Sequence, residues 1–396
     1  MAGGPRAAPA RFMSNTLDVL DRGFRANPSF ELVLFDRLAS QEREALAELR
    51  KDPDFYGILR PGGGAAALGV KSVDRETALL FLTLREPGPL PSYMRRMLGD
   101  GTRRIVARLV ADAILEVEED GRFLSGAPAL ALFEERRSGN GTGGRLADIS
   151  LAALRYAQDL AEDDPLALSF RLYGYNRRPL TPIWKRLLPK GDQVLAWLGI
   201  GPGGSRRSLL DRSWERTGGS SEWWLSWRAR QDSDLSGGGA TWKLYISPVP
   251  EALPESFGDI LEALAAGRAA QFKVGADALG ILRADKIVSY FPSFERLAAA
   301  AEALEARLSG IPAQGVPFTS EIGGNGLLSW GVDPPREETS FGGGESWRLW
   351  LTHRLSRALI SARSEPEPWR FALERVRLEG VDTDTWTPGA LLWKRS

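Results

Sequence analysis

At 396 residues the chain exceeds the usual size of a single hydrophobic core, so two or three domains are expected. Hydrophobic residues make up 43% and charged ones 26%, and 51 basic groups balance 51 acidic ones, which excludes the global polycation of a nonspecific nucleic-acid binder. With no cysteine and a single histidine, His353, disulfides, thiolate catalysis and multi-histidine zinc sites are excluded, leaving carboxylate, lysine, tyrosine and arginine chemistry.

The opening "MAGGPRAAPARF" has no apolar signal core, and no apolar run reaches the roughly 18–20 residues of a membrane helix. A cytoplasmic protein without membrane contact is expected, with a disordered tail over residues 1–27. Residues 28–135 form the first expected module. "SQEREALAELRKD" (Ser40–Asp52) and "SVDRETALLFLTL" (Ser72–Leu84) are predicted helices, the second ended by the turn at Pro87–Pro91. In "GTRRIVARLVADAI" the residues Ile105, Val106, Leu109, Val110 and Ala113 form an apolar stripe, and "ILEVEEDGRFLSG" reads as a hairpin about Asp120–Gly121. Helices followed by a two-stranded wing make this module winged-helix-like.

The Gly/Ser/Asn-rich stretch Arg136–Asp148 is the predicted linker, and 149–396 the second domain. Its helical opening is followed by "RLYGYNRRPLTPIWKRLLPKG" (Arg171–Gly191), six cations with no acidic residue, including Arg177 and Arg178, interleaved with Tyr173, Tyr175 and Trp184. Such a run is either a solvated face or a holder of nucleic acid, phosphopeptide or anionic lipid. In "SSEWWLSWRAR", Trp223, Trp224 and Trp227 are expected on one side of a helix or framing a bend. "WKLYIS", "AQFKVG" and "KIVSYF" are predicted strands, "FGDILEALAAG" and "SFERLAAAAEALEARLSG" helices, so the fold class is α+β. His353 falls in a helix, as an exposed or satisfied residue.

Strand alternation sets Lys273 opposite Phe272 and Val274, and gives Lys286, Val288 and Tyr290 a common face. If these faces meet, Lys273, Lys286 and Tyr290 converge near Arg283. The cations either guard sheet edges or grip a phosphate, for which arginine supplies a fork of donors and lysine a mobile point charge.

The order "WKLYISPVPEAL", "FKVGADALGILRADKIVSYFPSFERL", "GVPFTSEIGGNGLLSWGVDPP", "SFGGGESWRLW", over about residues 240–360, resembles the phosphothreonine lyase lineage. That lineage includes type III secretion effectors and the lyase domains or subunits of lanthipeptide synthetases. The resemblance implies β-elimination of phosphate from phosphoserine or phosphothreonine in a precursor peptide, yielding dehydroamino acids. It implies Lys273 as the base, with Arg283, Lys286 and Arg348 as phosphate ligands, and no cofactor or metal. Where the family places a histidine acid this chain has Tyr245, which implies either a phenol acid or a lyase fold that only holds phosphopeptide.

No ATP-binding motif is seen, so a separate kinase is the expected partner. The N-terminal module resembles the leader-binding modules of peptide-modifying enzymes, which take the leader as an added strand. Two rival readings are a non-catalytic scaffold for leader peptide and kinase, and a winged-helix transcription regulator using Arg103, Arg104 and Arg108. The acidic wing "LEVEEDGR" favours peptide over DNA.

Overall fold

The computed structural model describes residues 18–65, 68–133, 143–217, 223–231, 241–334, 345–389 and 392. The chain divides into two compact units, Met1–Arg137 and Ser138–Ser396, both mixing helix and sheet.

In the first unit, strands β1 (Gly23–Ala26), β2 (Phe30–Leu34), β3 (Phe55–Pro61), β4 (Lys71–Asp74), β5 (Gly88–Pro89), β6 (Leu115–Glu119) and β7 (Arg122–Leu124) form two sheets. Their orders are β5-β1-β6-β7 and β2-β3-β4. Helices α1 (Ser40–Ala45), α2 (Arg75–Thr83), α3 (Ser92–Leu98), α4 (Thr102–Ala111) and α5 (Ala127–Leu130) accompany them. Residues 23–26, expected in the unstructured tail, pair with β5 and β6 instead. The helix expected from Ser72 begins three residues later. Asp74 caps it, accepting from the Thr77 amide at 2.7 Å, while Ser72 and Val73 pair with β3. Asp120 and Gly121 both adopt positive φ (49° and 74°), the backbone a tight two-residue hairpin needs. Phe30, Leu59, Val73, Phe81 and Ile114 meet in the core. Arg103, assigned to phosphate in the DNA reading, is bound to Asp18 at 2.9 Å.

The second unit opens with α6 (Arg145–Gln158), which begins inside the stretch expected to be linker; residues 136–142 of that stretch lie outside the described residues. Then come α7 (Pro165–Tyr173), α8 (Pro182–Leu187), α9 (Gly191–Trp197) and α10 (Arg207–Ser213). The sheet is built from β8 (Trp214–Arg216), β9 (Trp224–Ala229), β10 (Trp242–Ile246), β11 (Gln271–Gly275), β12 (Ile287–Phe291), β13 (Ser320–Ile322) and β14 (Leu328–Val332). Helices α11 (Leu253–Ala266), α12 (Ala278–Ile281) and α13 (Phe294–Arg307) lie between strands; α14 (Trp347–Ser361), α15 (Pro368–Leu378) and the short pair β15 (Val381–Asp382) and β16 (Thr387–Pro388) follow.

All seven strands pair antiparallel in the order β13-β14-β10-β12-β11-β9-β8. Register then decides what each face carries, because side chains alternate. Leu225, Trp227, Leu244, Ile246, Phe272, Val274, Ile287 and Phe291 share one face and form a core with Phe257 and Ile260 of α11 and Leu297 and Leu304 of α13. Trp227 stacks on Phe272 at 4.9 Å, and Trp214 meets the same ring edge-on at 4.8 Å. The opposite face carries Trp224, Ser226, Lys243, Tyr245, Lys273, Val288, Tyr290 and Ser329. The tryptophans of β9 therefore do not share a side: Trp227 enters the core, and Trp224 faces the polar surface.

Two close approaches need glycine. A Cβ on Gly275 would lie 2.3 Å from Gly280, so this pair lets α12 fold back over β11. A Cβ on Gly331 would meet Trp347 at 2.7 Å, so its absence lets α14 settle beside the polar face. Among the described residues no helix is long and apolar enough to cross a membrane.

Candidate functional site

Strand β11 places Lys273 opposite Val288 of β12 and Ser226 of β9. Its ammonium lies 4.3 Å from the Trp224 ring centroid and 5.6 Å from that of Tyr290, and it has no hydrogen bond or ion pair with any described residue. The Tyr290 centroid also lies 5.3 Å from the Lys243 ammonium, which is bonded to Asp333 at 2.5 Å. The Arg283 guanidinium lies 5.0 Å from the Trp224 centroid and 5.5 Å from that of Tyr173, which Arg348 approaches at 4.3 Å. Four cations thus alternate with three aromatic rings. The electron-rich ring faces offset part of the repulsion that packing like charges creates.

Asp285 anchors one end of this row. Arg283 grips it bidentately at 2.7 and 2.8 Å, Arg348 donates at 2.8 Å, and the Tyr173 hydroxyl at 3.2 Å. Burial alone would raise the Asp285 pKa; the Arg348 charge and the Arg283 bonds overcome it and hold the carboxyl well below its ordinary range. Arg348 spends its remaining donors on the Pro317 and Tyr173 carbonyls and is 1% exposed. It was expected to touch phosphate directly. The structure gives it an internal role instead, fixing Asp285 and through it Arg283.

Lys286 also departs from expectation. Its ammonium lies in the interior, donating to the Pro248 carbonyl and the Gln314 side-chain oxygen at 2.8 Å each. Gln314 in turn donates to the carbonyls of Asn176 (2.6 Å) and Leu282 (3.2 Å). Lys286 thereby ties the loop that carries Arg177 to the turn that carries Arg283. Burial lowers its pKa to about 7. Burial, then the charge of Lys243 and, further off, that of Arg283, lower Lys273 to about 8, while Asp285 opposes the shift. The like charge that acts most on Lys273 is that of Lys243, not that of Lys286.

Both lysines have folded-state pKa values below the unfolded 10.5, so their charge opposes folding in full below pH 7–8. That opposition lifts as pH rises toward 10.5. Urea unfolding should therefore show stability rising between pH 7 and 10, and Lys286→Met should flatten much of that slope. An unchanged slope in the variant would mean that Lys286 does not titrate there.

Tyr245 lies on the same face, opposite Val288 and Ser329, and is 3% exposed. Its hydroxyl has no hydrogen-bond partner among the described residues, and burial pushes its pKa up, so it is a neutral donor throughout the working pH range. Tyr290, likewise raised by burial, sets its ring near both the Lys243 and the Lys273 ammonium groups. Arg177 is exposed and joins Arg283, Trp223, Trp224, Leu279 and Gly280 around a cleft of about 500 Å³. Arg178 is exposed as well, its backbone amide held by the Leu282 carbonyl at 2.9 Å.

His353, in α14, is buried and bonded through Nδ1 to Glu345 at 2.5 Å. The glycines preceding that helix lie outside the described residues, and Ser346 caps the helix, accepting from the Leu349 amide at 3.3 Å.

Three site residues escaped the sequence reading. Lys243 stands two positions before Tyr245, the alternation that puts both on one face. Asp285 is the sole acidic residue between Arg283 and Lys286, and Asp333 directly follows β14. Together these groups form a lysine free to take a proton, a fixed guanidinium, a second ammonium and a neutral phenol. Such a set suits proton abstraction beside a departing anion.

No protein-family model matches the chain, and no curated protein matches it. Among solved structures, the chain is similar to the effector protein from Pseudomonas syringae pv. syringae strain 61, at 13% identity and a TM-score of 0.37 over 62% of this chain and 100% of that one. It is also similar to the phosphothreonine lyase effector of Chromobacterium violaceum (17% identity, TM-score 0.25, 41% of this chain, 77% of that one). The phosphothreonine lyase effector from Salmonella is a further neighbour (14%, TM-score 0.26, 52% and 98%).

Proposed function

We propose that this chain eliminates phosphate from phosphoserine or phosphothreonine in a peptide. The observation that carries the reading is Lys273: an ammonium with no acidic partner among the described residues, its pKa brought to about 8, close to two aromatic rings each of which also has a second cation near it. Neutral Lys273 takes the Cα proton, the released pair forms the Cα–Cβ double bond, and the Cβ–O bond breaks with its electrons going to the departing phosphate. Lys243 and Arg283 offset the charge that develops on the peptide carbonyl and the phosphate. Tyr245 is the donor nearest in kind to a general acid. A phosphate dianion that leaves on cation assistance alone needs no acid.

In this reading the substrate is a ribosomally made precursor peptide phosphorylated by a separate kinase, and the first unit recognises its leader. Mass spectrometry of a synthetic phosphothreonine peptide after incubation with the protein tests the chemistry. Loss of the elements of phosphoric acid is expected, and an unchanged mass at all pH values from 7 to 9 would sink it.

A second reading is a holder of phosphopeptide without turnover. Tyr245 favours it, because burial makes the phenol an even weaker acid than in water. Under that reading the peptide binds and its mass does not change.

A further inference from the structure

The basic run Arg171–Gly191 is only partly absorbed by the site. Within it, α8 turns Trp184 inward, where its ring meets Trp197 edge-on at 6.0 Å. Outward it presents Ile183 and Leu187, one turn apart and 67% and 44% exposed. Lys185, Arg186 and Lys190 surround them, all exposed and none ion-paired with a described residue. Other exposed arginines on this unit do have carboxylate partners, as Arg207 has Asp211 and Arg228 has Glu215. Unmatched cations around exposed aliphatic side chains make a surface whose charge calls for an external anion.

Its place in the fold says which anion. The Leu188 carbonyl accepts from the Ala278 amide at 2.8 Å, and the Arg178 amide donates to the Leu282 carbonyl at 2.9 Å, so the run is pinned on both sides of α8 to α12 and the turn leading to Arg283. Leu279 and Gly280, at α12, line the cleft whose other wall is Trp224 and the 60% exposed Trp223. Trp224 is the ring that Lys273 faces. The ridge is thus tied to the helix that lines the cleft, and the cleft and Lys273 share the Trp224 ring.

We infer that the α8 ridge binds the segment of the peptide substrate flanking the phosphorylated residue, and that this segment carries acidic side chains next to apolar ones. The inference rests on reading the Lys273 site as a phosphopeptide site. Charge complementarity sets the acidic component, and Ile183 and Leu187 the apolar one.

The test uses the whole chain and two fluorescein-labelled phosphothreonine peptides, one flanked by Asp, Glu and Leu, the other by Ser and Gly. Fluorescence anisotropy should show the acidic peptide bound about tenfold tighter, with the preference shrinking in high salt. The triple variant Lys185→Glu, Arg186→Glu, Lys190→Glu changes exposed side chains only; it should lose the preference and keep its affinity for the neutral peptide. Equal binding of both peptides by the unaltered protein, or a preference that survives in the triple variant, overturns the inference. So does loss of binding to phosphatidylcholine–phosphatidylserine vesicles in the variant with peptide preference intact, which would make the ridge a membrane surface. A retained preference with no elimination supports the ridge while refuting the lyase reading, so the two fail separately.

Discussion

Lys273→Ala should lower kcat/KM for phosphate elimination by about 10²–10⁴-fold, the share a positioned general base ordinarily supplies, while peptide binding persists. The pH profile of the unaltered protein gives the role its sign. A base must be deprotonated, so kcat/KM should climb with pH and level off above about 8, where Lys273 loses its proton. Lys273→Arg should fare no better than alanine despite keeping the charge, because a guanidinium does not give up its proton in this range. A cation needed only to hold phosphate would be rescued by arginine, so the pair of variants separates the two roles. Lys273→Met should also raise the melting temperature, since it removes a largely buried charge that no described carboxylate offsets by direct contact. An alanine variant with undiminished elimination would move the base elsewhere.

Asp285→Asn should be the most destabilising single change in the site, costing about 3–5 kcal/mol in urea unfolding. The carboxylate is nearly inaccessible and neutralises Arg283 and Arg348 together; its amide replacement leaves two guanidinium groups short of an anion in the interior. The pH signature follows from the depressed pKa. Stability from Asp285 is complete above the unfolded value of 3.8 and is lost as pH falls toward the folded one, so the acid-denaturation limb should be shallower in the variant. Activity should fall as well, because Arg283 loses the bidentate partner that aims it. A variant of ordinary stability would show that Arg283 and Arg348 find other acceptors.

The strands and helices of the second unit were legible where patterning was strong. In "AQFKVG" the period of two is unbroken, "KIVSYF" is rich in β-branched and aromatic residues, and in "SFERLAAAAEALEAR" the serine cap and apolar stripe agree; all three form as read. The Trp223–Trp227 stretch misled because clustered tryptophans satisfy several spacings, and only pairing of Trp227 with Phe272 and of Trp224 with Gly275 selects the strand. The interior places of Lys286 and Arg348 were not legible for a similar reason. Their acceptors, Pro248, Gln314, Pro317 and Tyr173, are separated from them by 28 to 175 positions along the chain. A charged residue in a local window looks solvated until the distant carbonyls that surround it are known. Lys243 was available to the reading, since the alternation that singled out Tyr245 includes it.

The division of the sheet into an aliphatic face and a cationic–aromatic face has a bearing on how such a protein can change its substrate. Ser226 and Gln271 lie at half-exposed positions whose neighbours along the strand carry the packed layer, yet their own side chains contribute nothing to it. Combinatorial libraries confined to these two positions would sample new recognition chemistry at little expense in folding. A one-residue insertion in β11, by contrast, would exchange Lys273 with Phe272 or Val274 and ruin both layers in one step. Evolvability here is a matter of reading frame within a strand: residues open to innovation fall on the cationic–aromatic face, and the ones between them are closed.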